Sequence, residues 1–203
     1  MDNLAIVESE LKAKKILARP QYRNIMCSIS GGSDSDIILD LCERFRPPNK
    51  NIHYVFFDTG LEYQATKDHL DYLENKYNIK IERVRPKKTL PVAVKEYGQP
   101  FIHKNVSKYI ERLQQYNFDF TNISYDEMLR KGIPKSYCAW WCKNDKIRNF
   151  RVTGIKHLKE FLILNPPKFK ISAKCCDYTK KKPAKDYIKN NDIDLRIVGV
   201  RMS

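Results

Sequence analysis

Short apolar runs alternate with amphipathic stretches along this chain, and the alternation predicts its elements. From Leu4 to Ala18, Leu4, Ile6, Val7, Leu11 and Ile16 fall near one face with lysine and glutamate opposite, the mark of a helix. Ile25 to Ile29 is an apolar run of buried-strand length, and Asp34 to Phe45 returns to helical spacing through Ile37, Ile38, Leu41 and Cys42. The stretch RPPNKN (Arg46 to Asn51) ends that helix, because proline cannot continue it. IHYVFF (Ile52 to Phe57) is β-branched and aromatic, as a second strand requires. A helix over about Gln64 to Tyr77 and a strand over Lys80 to Val84 follow. Strands separated by helices in this way predict parallel pairing through right-handed crossovers.

From Pro91 to Pro167 the pattern is mostly helical and polar with weak boundaries, and reads as a helical insertion or cap. Lys174 to Asn191 reads as a helix with a proline near its middle, and LRIVGV (Leu195 to Val200) as a final strand. The expected fold is α/β: a Rossmann-like parallel sheet with flanking helices, in a single domain 1–203 carrying a helical insertion at about 91–167.

Composition narrows the class. A chain of 203 residues buries a core without disulfide staples, and 42% hydrophobic with 31% charged residues suits a globular protein. The first residues, MDNLAIVESELKAKKILARP, lack the apolar region of a signal peptide, and no run approaches the length of a membrane span. The expected compartment is a reducing cytoplasm, where the 6 cysteines are thiols, metal ligands or redox groups before they are disulfides. The net charge of +14 attracts polyanions such as nucleotides and nucleic acid, although lysines spread along a soluble surface give the same sum.

The chemistry concentrates in SGGSDS (Ser30 to Ser35), between the first strand and the helix after it. Gly31 and Gly32 can take positive φ and keep Cβ atoms away, so backbone N–H groups can converge, and Ser30, Ser33 and Ser35 add hydroxyls. The helix that follows offers its N-terminal dipole to a phosphate or sulfate. A glycine turn with Ser33 or Asp34 as helix cap is the simpler alternative. No G-K-[ST] follows, so this is not a Walker A loop.

SGGSDS after an apolar strand resembles the PP-loop of the adenine-nucleotide α-hydrolase-like superfamily, which includes N-type ATP pyrophosphatases, tRNA-thiolating enzymes and phosphoadenosine phosphosulfate (PAPS) reductases. The usual pattern is SGGxDS, often with lysine at x; here x is Ser33, so one cation is missing. VFFDTGLEYQATKDHLDYL (Val55 to Leu73) looks like the DTG segment of the PAPS reductase branch, which implies that Asp58, Thr59 and Gly60 line an adenosine site; helix capping is the alternative for Thr59 and Glu62. The stretch from Lys174 to Ser203 is similar to the CC…(R/K)K…P…GxR region of adenylylsulfate (APS) and PAPS reductases. It implies that Cys175 and Cys176 ligate a [4Fe–4S] cluster and that the Arg201 guanidinium faces a sulfonucleotide.

Against that pattern the chain has no later CxxC and no C-terminal reductive cysteine, and is expected to be truncated relative to the family. Cys138 and Cys142, at i and i+4 in YCAWWCK, could complete a four-thiolate cluster or zinc site with Cys175 and Cys176, or be buried thiols beside tryptophans. Asp34 is the candidate for meeting Mg²⁺ at the phosphates. The lysines Lys180, Lys181, Lys182 and Lys185 either face an anion or form a solvated helix face.

The resemblance thus implies an enzyme of sulfur metabolism, an oxidoreductase or transferase, acting on ATP, APS or PAPS, with no residue singled out as catalytic. It leaves open sulfur modification of nucleic acid and a non-catalytic nucleotide-binding subunit. The partners it admits are a nucleotide, a thiol-donor protein, a nucleic acid or a second copy of the chain, and no membrane.

Overall fold

The computed structural model describes residues 4–142 and 151–199. The chain forms two compact units, Met1–Leu90 with Tyr178–Ser203, and Pro91–Asp177.

The first unit is built on four parallel strands, β1 (Asn24–Ile29), β2 (Asn51–Phe57), β3 (Ile81–Val84) and β4 (Leu195–Val198), in the order β3-β2-β1-β4. The helices α1 (Leu4–Leu17), α2 (Ser33–Phe45), α3 (Gln64–Tyr77) and α9 (Lys182–Asn190) belong to it. Strand alternation assigns the two faces. Ile25, Cys27 and Ile29 pack with Leu39 and Cys42 of α2 and Leu70 and Leu73 of α3, whereas Met26 and Val55 pack with Tyr187 of α9. With both faces covered, β1 is apolar along nearly its whole length instead of alternating, as in other doubly covered parallel sheets. The fold is the expected α/β sheet with flanking helices.

One local expectation needs correction. Helix α1 forms, but Leu4 and Leu11 are 70% and 62% exposed, and Ile6 and Val7 are exposed with them. It is held instead at its end, by buried Leu17 and by Lys50, whose ammonium donates to the Arg19 and Tyr22 carbonyls at 2.6 and 2.5 Å. The Glu10–Arg44 ion pair at 2.8 Å adds a tie to α2. The helix expected over Lys174–Asn191 with a proline near its middle does form: a π-type turn over Asp177–Lys181 runs directly into α9, Lys181 itself is helical (φ −72°, ψ −42°), and Pro183 lies near the middle of the run.

The second unit is helical. Its elements are most of α4 (Leu90–Tyr97), then α5 (Lys104–Gln115), α6 (Tyr125–Arg130), α7 (Lys135–Trp141) and α8 (Leu158–Leu164). Val106, Ile110 and Leu113 of α5, at helical spacing, share a core with Trp140 and Trp141. The indole N–H of Trp141 donates to the Thr121 carbonyl at 3.0 Å.

Candidate functional site

In the order β3-β2-β1-β4, the chain runs outward from β1 to β2 and β3 on one side and returns to β4 on the other. The carboxyl ends of β1 and β4 therefore mark a topological switch point, where open α/β sheets bind ligands. A cavity of about 210 Å³ opens there. Ser28, Ser30 and Ser35 line it from the β1–α2 side, Phe57 and Glu62 from the β2 side. Lys180 and Lys181 from the turn before α9, with Arg196 and Gly199 at β4, complete it.

The Ser30–Ser35 loop shapes this cavity through its backbone. Gly31 sits at φ 76°, and a Cβ on it would lie 2.8 Å from the Thr66 methyl, so both conformation and space exclude a side chain. Gly32, not Ser33 or Asp34, is the N-cap of α2 and makes no side-chain cap bond. Its carbonyl accepts from the Ser35 hydroxyl at 2.7 Å and the Ser35 N–H at 2.9 Å, and Ser30 donates to the Ser35 hydroxyl at 3.2 Å. Ser35 thus braces the loop. Ser33 is exposed and Asp34 half-buried in the first turn. From the β4 side, a Cβ on Gly199 would stand 2.5 Å from the Asp34 carbonyl oxygen, so only glycine lets the end of β4 come this close to α2.

Within this polar frame Ser28 is the anomaly. Its side chain is 8% exposed, it lines the cavity, and its hydroxyl has no hydrogen-bond partner. Buried hydroxyls are rarely left so.

Asp58, Thr59 and Gly60 form the neighbouring turn and do not line the cavity. Asp58 accepts from the Gly60 N–H at 2.9 Å and from Arg85 Nε at 3.0 Å. Burial by itself raises its pKa, but these two donors outweigh it and hold the carboxyl below its ordinary range. Thr59 donates through both its N–H (3.1 Å) and its hydroxyl (2.6 Å) to Glu62, which carries the turn to the cavity wall. Asp58 is therefore engaged as a brace of its own loop.

The four-thiolate expectation fails. Among the described residues no three His, Cys, Asp or Glu side chains converge as a metal site requires. Helix α7 ends at Trp141, and Cys138 and Cys142 donate their thiols to the Ile133 and Ile123 carbonyls at 3.1 and 3.3 Å. Burial, with Cys142 nearby, pushes the Cys138 thiol up to about 11, away from the thiolate a metal takes. Cys175 is buried and Cys176 exposed, and burial first, then its neighbour, raises Cys175 as well. Among the described residues, the four cysteines are not gathered into one site for a [4Fe–4S] cluster or zinc. Arg201 lies outside the described residues.

Ser28, Arg196 and Gly199 were missed as site residues. Ser28 hides inside an apolar run, and Arg196 and Gly199 reach the loop only through β1–β4 pairing, in which Ser28 stands beside Val198. The glycine closing LRIVG was the one available signal.

Residues 24–122 match the model of the phosphoadenosine phosphosulfate reductase domain. That segment belongs to the PAPS reductase family. The match takes in the Ser30–Ser35 loop and the Asp58–Gly60 turn, and stops short of Cys175, Cys176 and β4. Over 90 residues the chain is 30% identical to adenosine 5'-phosphosulfate reductase 2 of Bacillus subtilis, covering 44% of this chain and 37% of that enzyme. An uncharacterised protein of Methanocaldococcus jannaschii is 41% identical over 76 residues, 37% of this chain and 15% of that protein. The chain thus spans well under half of the length of either relative. Among solved structures, an NH3-dependent NAD synthetase from Campylobacter jejuni aligns with a TM-score of 0.41 at 19% identity, over 95% of this chain and 85% of that one.

Proposed function

We propose that the chain binds an adenine nucleotide, ATP or a sulfonucleotide such as APS or PAPS, and acts on it as a cytoplasmic enzyme of sulfur metabolism. The observation that carries this reading is the cavity at the head of α2, lined in part by Ser28, whose buried hydroxyl has no hydrogen-bond partner. A cavity of about 210 Å³ suits the anionic end of a nucleotide better than the whole molecule. The nucleoside then extends past the rim. The first-turn N–H groups of α2 meet the anion. Lys180, Lys181 and Arg196 supply the positive charge that Ser33, in place of the family's frequent lysine, does not.

Asp34 is the carboxylate that would meet a Mg²⁺ arriving with the phosphates. Among the described residues no three His, Cys, Asp or Glu side chains converge as a metal site, so that ion would draw most of its ligands from phosphate and water, as Mg²⁺ commonly does. With ATP the reaction class is nucleotidyl transfer releasing pyrophosphate. With a sulfonucleotide it is attack of a thiol on sulfur, with the nucleoside phosphate as the leaving group; Cys176 is exposed and the other five cysteines are buried, so the thiol is either Cys176 or one brought by a partner protein.

A thermal-shift panel of ATP, APS, PAPS and their non-sulfated products, with and without Mg²⁺, tests the reading. One nucleotide at about 100 times its Kd stabilises by about 2.7 kcal/mol. That shift is expected in the wild type and should be lost in a Lys180→Ala, Lys181→Ala, Arg196→Ala triple variant. Absence of any shift across the panel would overturn the assignment.

A further inference from the structure

A second cavity, of about 300 Å³, lies along α9, between its Lys182–Asn191 side and the segment Val84–Lys88 that leaves β3. Arg85, Lys87, Lys88 and Lys182 reach its walls, against a single carboxylate, Asp186. Arg85 Nε donates to Asp58 at 3.0 Å, and Lys182 lies 3.8 Å from Asp186. A guanidinium carries five N–H donors, so one bond to Asp58 leaves Arg85, whose side chain is 77% exposed, able to bind a further anion. Tyr178 stands in the wall with the Lys88 ammonium 5.5 Å from its ring centroid.

The inner side of this cavity is already satisfied. The Tyr187 hydroxyl bonds to Glu82 at 2.5 Å and His53 at 2.9 Å, and Asn51 bonds the other nitrogen of that ring at 2.9 Å. Binding capacity therefore sits along the rim, as a row of cations beside an aromatic ring. The row continues: Lys180 and Lys181 line the first cavity and Lys182 the second, so the turn before α9 joins the two with positive charge. A small anion would use one or two of these cations, and an acidic peptide brings no flat base to stack on the ring. A chain of phosphates carrying unstacked bases uses both, and the net charge of +14 draws it in.

We propose that this cavity and the cationic ridge beside it bind single-stranded nucleic acid, with phosphates on Arg85, Lys87 and Lys182 and a base stacked on Tyr178. The proposal stands independently of the nucleotide reading of the first cavity.

Fluorescence anisotropy with a labelled single-stranded oligonucleotide of mixed sequence, as RNA and as DNA, between about 50 and 200 mM salt tests it. Wild-type affinity is expected to fall steeply with salt. Replacing both Lys87 and Lys182 by alanine should weaken binding about tenfold at the lowest salt. It should also flatten the logarithmic salt slope by about 1.4, or roughly 0.7 for each lost phosphate contact. Tyr178→Leu should weaken binding about tenfold and leave the slope unchanged, since stacking releases no counterions. Nucleotide-induced thermal shifts should persist in both variants. An unchanged slope in the lysine variant, no binding by wild type at the lowest salt, or equal competition by AMP or inorganic phosphate would each overturn the proposal.

Discussion

Ser28 and Gly199 sit at the same cavity and should respond to substitution in opposite ways. The Ser28 hydroxyl is buried without a partner, and such a group costs about 1–3 kcal/mol. Ser28→Ala is therefore expected to keep or raise the unfolding free energy, by up to about 1 kcal/mol, while weakening nucleotide binding. Urea denaturation beside a ligand titration reads both. Gly199→Ala puts a methyl 2.5 Å from the Asp34 carbonyl oxygen, a backbone atom that cannot swing away, and should cost about 1–3 kcal/mol in the same denaturation experiment. At this scale the chain revealed only part of its site. Ser30 to Ser35 announce themselves because consecutive residues carry the geometry. Ser28, Arg196 and Gly199 belong to segments about 170 residues apart that meet only after the strands have paired.

Between elements, carboxylates act as latches. Glu74 of α3 accepts from the Ile81 N–H at 2.6 Å and from Arg83 at 2.8 Å, fastening α3 to β3. Burial alone would raise its pKa, but Arg83 and the Ile81 N–H outweigh it, so the value is lowered, as for Asp58. A carboxyl with a lowered folded pKa stabilises above its unfolded value, about 3.9–4.3, and loses that contribution as pH falls through the folded value. The urea midpoint should thus drop below about pH 4, and Glu74→Gln should make the drop shallower. In the helical unit, the Ser124 hydroxyl accepts from the Glu127 N–H while Glu127 accepts from the Ser124 N–H, a reciprocal cap on α6. Ser124→Ala should cost about 1 kcal/mol. The central strands β1 and β2 were readable because burial on both faces makes them largely apolar runs, whereas β3 and β4 carry charged residues between their apolar ones. Helices α6, α7 and α8, of 6, 7 and 7 residues, were not, because so short a helix is fixed by its packing more than by its own periodicity. Helix α1 misleads in the other direction: its spacing is helical, yet the apolar side it suggested is exposed.

For the whole molecule, the two units have separate cores, and both tryptophans lie in the helical one. Intrinsic tryptophan fluorescence should therefore follow unfolding of the Pro91–Asp177 unit. Gly199→Ala is expected to leave that signal's midpoint in place while lowering the midpoint seen by a probe on the sheet unit; equal displacement of both would mean the units unfold as one.

The cysteines provide such a probe. Cys27 and Cys42 are buried against each other in the sheet unit, where their mutual hydrogen bond, reinforced by burial, raises the Cys27 pKa far above that of an ordinary thiol. Cys138 is buried in the helical unit, and Cys176 is exposed. A thiol reagent added to the native protein should consume Cys176 at once. It should then wait on Cys27 and Cys42 until the sheet opens, and on Cys138 until the helical core does. The labelling half-lives, read residue by residue in a mass spectrometer, would time the opening of each core from within.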